Sequence, residues 1–350
     1  MKYVPLGTSG LSVSNICLGS MTWGFQNNQQ DADQQINYAL EQGINFIDTA
    51  EMYAIPPTPE TFGTTETIIG DWLRRNPTRR KDFVLASKIV GSGLPWIREG
   101  SEITGQSVIL AVDDSLKRLQ TDHIDLYQLH WPNRAHPHFG KHWVGDIRFS
   151  HVNAAAHKAQ MLDILTAIDT CVKAGKIGHF GLSDDTTWGI KTYLELAKTH
   201  DLAPVVSIQN EFNLLQTKDW PYLIEQCVHD NIAYLPWSPL ARGILTGKYI
   251  DGARPKGSRL TYPQRNGEFR DTPSVNEATK AYCQLAKDLA IPPAHLALAW
   301  CKQVDGVTST IIGATNMEQL KEDIAAFSIE LSQEAINEII GIMKRYPSPF

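Results

Sequence analysis

The sequence has few cysteines and no long apolar segment. Its cysteines are widely spaced and include no C-x-x-C pair: Cys17, Cys171, Cys227, Cys283 and Cys301. This spacing argues against a disulfide framework or a cysteine zinc site. No stretch approaches the roughly 18 apolar residues of a transmembrane helix, and the opening MKYVPLGTSG lacks the apolar core of a secretory signal. Scattered thiols are typical of a reducing compartment, so we expect a cytoplasmic protein that does not bind membranes.

Basic residues are also in short supply. The chain has 32 Lys and Arg against 38 Asp and Glu, which gives a formal net charge of −6. Proteins that bind nucleic acids usually show a basic balance or a basic patch, so we expect no nucleic-acid partner. With 42% hydrophobic and 20% charged residues, the composition is that of a globular protein with a large core.

Short apolar runs alternate along the chain with amphipathic segments of helical period. The runs are apolar on both sides rather than alternating, as in parallel strands that are buried on both faces, and the segments between them are typical of crossover helices. Seven runs are clear, at residues 45–49, 83–88, 124–130, 177–183, 205–209, 232–237 and 308–313. An eighth strand is expected between Gly247 and Pro273, where glycine, proline and arginine obscure the pattern.

A dinucleotide-binding glycine fingerprint is missing as well. The string nearest to G-x-G-x-x-G, at residues 91–93, lacks the third glycine, which disfavours an open nucleotide-binding sheet. The sequence therefore predicts an α/β fold, a (β/α)8 TIM barrel forming a single domain over residues 1–350. Such barrels take roughly 250 residues plus insertions.

Three segments stand outside the strand–helix alternation. Residues 3–19, with a turn at 7–10, predict an N-terminal β-hairpin across one end of the barrel. Residues 131–157 and 252–273 are long and show little periodicity. Loops of that length in a compact enzyme are usually lids or binding loops, so we expect them at the carboxyl ends of the strands.

Polar residues end several of the apolar runs, where a barrel of this kind carries its catalytic groups. They are Asp48, Lys88, His130, Ser183 and Gln209, with Tyr53 in the loop after Asp48. Asp, Tyr, Lys and His together suit proton transfer to a carbonyl oxygen. Lys88, held by Asp48, is expected to lower the pKa of Tyr53 from its usual value near 10, and His130 is expected to bind the carbonyl oxygen. Hydride has to come from a cofactor, because no side chain donates it.

Eight segments, in this order, resemble the aldo-keto reductases. They are LGSMTWG (18–24), FIDTAEMY (46–53), ASK (86–88), DLYQLHWP (125–132), GKIGHFGLSD (175–184), IQNEFNLL (208–215), PWSPLARGILTGKY (236–249) and IIGATNMEQLKEDIAA (311–326). Within that superfamily the chain is similar to the bacterial Tas-like branch and to the potassium-channel β subunits. The resemblance covers nearly the whole chain.

The resemblance implies roles for individual residues. The positions that match the catalytic tetrad, with Tyr53 as the general acid, are Asp48, Tyr53, Lys88 and His130. Those that match the NADPH-binding residues are Gly19, Met21, Thr22, Ser183, Asp184, Gln209, Trp237, Ser238, Pro239, Leu240, Arg242, Gly243, Lys248, Arg259, Gly313, Thr315, Gln319, Glu322 and Asp323. Asp184 and Asp323 stand where the family usually has Asn. Arg259, helped by Lys248, is expected to favour NADPH over NADH.

Aromatic and histidine residues suggest further site positions. Trp23 and Trp131 are expected to line the substrate pocket. The spacing of His136, His138 and His142 permits a metal site, but a solvated histidine-rich loop is the interpretation that the sequence favours. No metal is predicted, because the expected chemistry needs none.

Three functions are compatible with these residues. The first is NADPH-dependent reduction of a small-molecule aldehyde or ketone to an alcohol. The second, suggested by the channel β subunits, is a cofactor-sensing binding subunit with slow turnover. The third, a metal-dependent barrel lyase or hydrolase, needs clustered carboxylates and histidines at strand ends, where only Asp48 and His130 qualify. The sequence predicts neither the individual substrate nor the oligomeric state.

Overall fold

A computed structural model describes residues 1–262, 268–347 and 350. The strands are β1 Tyr3–Pro5, β2 Ser12–Ser14, β3 Ile16–Gly19, β4 Phe46–Asp48, β5 Val84–Ile89, β6 Ile124–Leu129, β7 Ile177–Ser183, β8 Val205–Gln209, β9 Ala233–Tyr234 and β10 Thr310–Ile312. The α-helices are α1 Gln29–Glu41, α2 Thr64–Arg75, α3 Gly105–Leu119, α4 Ala154–Lys173, α5 Thr187–His200, α6 Tyr222–His229, α7 Pro273–Asp288, α8 Pro293–Gln303, α9 Met317–Ala325 and α10 Gln333–Arg345. No described helix is long and apolar enough to span a bilayer.

The eight-stranded sheet is parallel and follows the order β10-β3-β4-β5-β6-β7-β8-β9. Its two ends meet, because Thr308 N donates to Tyr234 O at 2.9 Å and Ile311 N donates to Pro236 O at 2.9 Å. A parallel bridge between Tyr234 and Val307 adds to this contact. The predicted (β/α)8 barrel is thereby confirmed.

The eighth barrel strand is not where the sequence suggested. It is β3, which pairs with β10 on one side and β4 on the other. The described residues between Gly247 and Pro273 form short 3₁₀ turns, at Ile250–Gly252, Arg259–Thr261 and Glu268–Arg270, and residues 263–267 lie outside the described residues. The prediction of a strand between Gly247 and Pro273 is wrong. The sequence concealed the true eighth strand because a single residue separates β3 from β2, so the two resemble one strand of the hairpin.

The predicted N-terminal hairpin is confirmed. Strands β1 and β2 pair antiparallel, and Leu6 and Val13, both 0% exposed, pack with barrel residues such as Phe46. At Gly7, whose φ is +54°, an added Cβ would lie 2.2 Å from Val206 O, at the start of β8. Only glycine tolerates so close an approach in the left-handed region, so the hairpin lies tightly across the N-terminal end of the barrel.

Local sequence signals set the ends of several helices. Asn28 and Asp31 form a capping box at the start of α1, and Thr104 and Ser107 form another at the start of α3. Such caps satisfy backbone N–H groups that lack intrahelical partners. Each α-helix contributes buried apolar residues to the main hydrophobic core.

Candidate active site

One large cavity opens at the carboxyl ends of the strands. Its volume is about 1230 Å³. Asp48, Tyr53 and His130 line it, and Lys88, at 0% exposure, lies directly beneath. Every residue that the resemblance assigns to cofactor binding, from Gly19 to Asp323, also lines this cavity. The barrel therefore brings together residues that are nearly 300 positions apart in the chain.

Lys88 and Asp48 form a buried ion pair at the floor of the cavity. Lys88 Nζ donates to Asp48 Oδ2 at 2.5 Å and to Thr49 O at 2.8 Å. Gln209 Nε2 donates to the other carboxylate oxygen of Asp48 at 2.9 Å, and Gln128 Nε2 does so at 3.2 Å. Burial is the largest single influence on Lys88 and lowers its pKa. The charges of Asp48 and Tyr53 and the hydrogen bond to Asp48 together outweigh burial, so the pKa of Lys88 is raised. Lys88 is thus held charged and in one place.

Burial of Tyr53 raises its pKa by more than the charge of Lys88 lowers it. Burial is the largest influence on Tyr53, and it disfavours the anionic form. Lys88 Nζ, 5.1 Å from the centroid of the Tyr53 ring, acts in the opposite direction. The pKa of Tyr53 is raised above its usual value of 10.0, so the expectation of a lowered pKa is wrong. The hydroxyl therefore keeps its proton across the neutral range.

His130 is held neutral beside Tyr53. Burial, followed by the charge of Lys88, lowers the pKa of His130 well below its usual value of 6.5. The two rings are 5.6 Å apart and nearly perpendicular, and His130 Nδ1 is buried without a hydrogen-bond partner among the described residues. A neutral imidazole carries one N–H, which can bind a carbonyl oxygen without a second positive charge next to Lys88.

The segment after β9 forms a wall with unpaired donors. Arg242 Nε and Ser258 Oγ are buried without hydrogen-bond partners in the described part of the chain. Ser238, Arg242 and Gly243 have φ angles of 52°, 59° and 90°. Left-handed residues beside right-handed ones turn successive backbone N–H groups into an anion-binding concavity. Burial, followed by the charge of Arg270, lowers the pKa of Arg242 to about 9. The nearby Glu211 and Asp184 therefore balance this cation only in part. This wall fits a phosphate-bearing ligand such as a dinucleotide.

The far end of the cavity is built by the N-terminus of α9. Gln319 Oε1 accepts from Thr315 N at 3.0 Å and from Thr315 Oγ1 at 2.9 Å. Asp323 is 5% exposed, and burial, followed by the charge of Glu322, raises its pKa to about 7. The N-terminus of a helix favours anions, but the carboxyls of Glu322 and Asp323 oppose them here, so this end suits a polar, uncharged part of the ligand.

The two predicted pocket tryptophans are placed differently. Trp131 lines the cavity and its ring is 5.2 Å from that of His130. Trp23 is 0% exposed and belongs to the main hydrophobic core, where its Nε1 donates to Gln35 Oε1 at 2.9 Å. The expectation for Trp23 is wrong, because the turn after β3 points this side chain behind the barrel wall.

The loop after β6 contributes residues that the sequence did not single out. Phe139 lines the cavity, 6.3 Å from Trp131 and 6.0 Å from Trp237 between ring centroids. His138 is only 8% exposed, so the interpretation of a solvated histidine loop is wrong at that position. Phe139, Trp131 and Trp237 come together because the loop folds back over the cavity. No spacing in the sequence predicts this contact. Within the described residues, no group of three or more His, Cys, Asp or Glu could hold a metal ion.

Comparison with known proteins agrees with this geometry. Residues 15–344 match the model of the Aldo/keto reductase family. The chain is 40% identical to Protein tas of Escherichia coli K12, over 100% of this chain and 99% of that protein. It is 29% identical to an Uncharacterized oxidoreductase, YrpG, of Bacillus subtilis, over 100% and 97%. It is also 36% identical to an Aldo-keto reductase of Babesia bovis, over 69% and 88%. Fold, cavity and sequence similarity together show that the chain belongs to the aldo/keto reductase family.

Proposed function

We propose that this protein is an NADPH-dependent oxidoreductase that reduces aldehydes or ketones to alcohols, with Tyr53 as the general acid. The observation that carries the proposal is the buried Lys88–Asp48 pair beneath Tyr53 and His130, at the floor of a cavity of dinucleotide size. Family membership supports an NAD(P)H-linked oxidoreductase in general. The choice of NADPH and the role of Tyr53 rest on the residues of this chain.

The residues divide the reaction between them. When bound, NADPH supplies the hydride. The Tyr53 hydroxyl donates its proton to the carbonyl oxygen as negative charge develops there. Lys88 stabilises the tyrosinate that is left, until solvent returns the proton. The N–H of neutral His130 orients the carbonyl oxygen, and the rings of Trp131 and Phe139 give the cavity an apolar side next to His130.

Cationic side chains support the preference for NADPH. Arg259 and Lys248 line the cavity together with Arg242. Burial lowers the pKa of Arg259, as expected for a cation whose charge is only partly balanced. A guanidinium can bind a phosphate through two parallel hydrogen bonds. Arg259 is therefore our candidate for the 2′-phosphate.

The five unpaired thiols suit a reducing compartment, and we propose that the protein acts in the cytoplasm.

The experiment is NADPH consumption by the purified protein with a panel of aldehydes, ketones and quinones. Repeated turnover with at least one carbonyl class, and a matching alcohol product, is expected. Slow oxidation of bound NADPH with every substrate, together with a co-purifying protein partner, would favour a cofactor-sensing subunit and contradict the proposal.

A further inference from the structure

The loop between β6 and α4 folds into the cavity and touches Asp184, a residue that the family resemblance assigns to cofactor binding. His138 Nδ1 lies 3.4 Å from Asp184 Oδ1, and His138 Nε2 lies 3.4 Å from the backbone oxygen of Asp185. The turn is made by Phe139 and Gly140, whose φ angles are 58° and 80°. His138 and Asp184 are 8% and 2% exposed. The contact is thus buried at the place where the loop meets the end of β7.

The partners of the imidazole determine how many protons this contact holds. A backbone oxygen only accepts, so His138 Nε2 must carry a hydrogen. Nδ1 then faces the Asp184 carboxyl. If neither group carried a proton here, the lone pair of His138 Nδ1 would face the negative charge of the Asp184 carboxylate. One proton therefore has to lie between them, either on Nδ1 or on the carboxyl. Trp237 Nε1 donates to the same carboxyl oxygen at 3.2 Å.

Burial, together with the surrounding charges, places that proton on the Asp184 carboxyl. Burial raises the pKa of Asp184 well above its usual value, and Glu211 adds to the effect. Burial, followed by the charge of Lys218, lowers the pKa of His138 to about 3. The other titratable or charged groups that face the pair are His136, His142, Asp219, Arg242 and Tyr53.

We propose that His138 is a positioning residue, which shares one proton with Asp184, closes the loop at residues 131–153 over the cavity and presents Asp184 to the cofactor site in uncharged form. An uncharged carboxyl has an O–H donor and an acceptor oxygen. Its O–H is directed at His138 Nδ1, where a carboxylate could only accept, and Asp184 then adds no negative charge to the cavity.

The proposal makes loop closure depend on pH. With the loop open, His138 is free in solvent with a pKa near 6.5, and Asp184 is hydrated and ionised. Above about pH 6.5 the open pair holds no proton and the closed pair holds one. Closing therefore takes up one proton, and the closure constant falls with rising pH by at most about tenfold per unit. Below that range both states hold one proton and the dependence disappears.

The test is hydrogen–deuterium exchange of the full-length protein between pH 7 and pH 9. Protection of peptides covering residues 135–142 is corrected for the intrinsic rate and compared with peptides from α3 in the same sample. In the wild type, loop protection should fall several-fold across this range relative to α3. Asp184→Asn is the matched variant, because its amide nitrogen can donate to His138 Nδ1 without a titrating proton, although it cannot also accept from Trp237 Nε1 as the oxygen does. Its loop should be protected to the same extent at every pH.

His138→Leu supplies the second comparison. Its loop should lose protection at every pH, while α3 stays protected and so shows that the fold is intact. Lys218, whose pKa burial lowers to about 8, titrates in the same range, but it is present in both variants. A slope that Asp184→Asn retains, a His138→Leu loop as protected as that of the wild type, or a wild-type loop without a slope would overturn the proposal. Exchange needs no turnover, so this result is independent of the reductase assay.

Discussion

Lys88 is the residue whose replacement should affect both stability and turnover. Lys88→Met leaves Asp48, 2% exposed, without its cation, and breaking a buried pair costs about 3–5 kcal/mol. Reductase activity should also fall by about 100-fold or more, because the tyrosinate left by proton transfer loses its counter-charge. Urea denaturation and steady-state assays measure the two effects.

A second substitution separates these effects. Lys88→Met combined with Asp48→Asn removes the unpaired charge, so it should recover part of the lost stability but none of the activity. Full activity in Lys88→Met would show that the ammonium has no part in the proton transfer.

Arg259 is the residue on which cofactor choice should depend. Arg259→Ala is expected to weaken NADPH binding by about 1.5–3 kcal/mol, the usual loss for a hydrogen bond to a charged group, and to weaken NADH binding much less. Fluorescence titration with both cofactors measures the difference. Arg254→Ala is the control, since Arg254 pairs with Asp271 outside the cavity. Equal weakening of both cofactors by Arg259→Ala would remove Arg259 from the 2′-phosphate site.

For single residues, the sequence predicted which side chains form the site, but it did not predict how deeply each one is buried or what surrounds it. Polar residues at strand ends could be recognised because the ends of parallel strands meet at one rim, whatever the packing around them. The pKa of Tyr53 could not be predicted, because burial outweighs the nearby ammonium. Trp23 was misplaced because a tryptophan beside a strand end suits the core as well as the pocket.

The loop between β6 and α4 is the element that should set substrate choice. Phe139 lies between Trp131 and Trp237, so Phe139→Ala should change the relative kcat/KM for aromatic and aliphatic carbonyls by about tenfold, while NADPH affinity changes little. Tenfold corresponds to about 1.4 kcal/mol, slightly less than the roughly 1.5–3 kcal/mol for a fully buried side chain of this kind, because Phe139 is 37% exposed. Phe149→Ala is the matched control on the same loop, where the ring is 73% exposed. A substrate profile that is identical in both variants would place the loop outside the substrate site.

The N-terminal hairpin should contribute to stability and leave the site unchanged. Leu6→Ala removes a side chain that is 0% exposed and should lower the free energy of unfolding by about 2–5 kcal/mol. The affinity for NADPH should stay the same, because the hairpin lies at the opposite end of the barrel. Urea denaturation and cofactor titration test both points, with the exposed Lys2→Ala as the control. Weakened NADPH binding in folded Leu6→Ala would show that the two ends are coupled.

Elements were predictable where the pattern was long and unmistakable. The run at 177–183 matches β7 residue for residue, because most of its residues are buried and it lacks the alternation of a strand with one solvent-facing side. Strand β3 was missed because only Asn15 separates it from β2. The loop at 131–153 has little periodicity, and its shape depends on rings that are distant in sequence, so no local pattern could predict it.

For the whole molecule, the site exists only because the sheet closes. Asp48 ends β4, Lys88 lies in β5, and His130 follows β6, while the residues assigned to cofactor binding come from β3 and from β7 to β10 and the segments after them. Alternation of strands and helices predicted a barrel, and the order of the strands around it follows from right-handed crossovers. The substrate was beyond reach, because the same barrel carries many chemistries on different loops.

The most direct test of the central claim is the turnover of Tyr53→Phe. The ring remains and only the hydroxyl is lost, so the fold and the NADPH dissociation constant should match the wild type. Carbonyl reduction should fall by about 100- to 10,000-fold, the usual contribution of general acid catalysis. Combined with Lys88→Met, the loss should be less than the product of the two single losses, because both residues act on one proton transfer. Normal turnover in Tyr53→Phe would contradict the assignment and make His130 the acid.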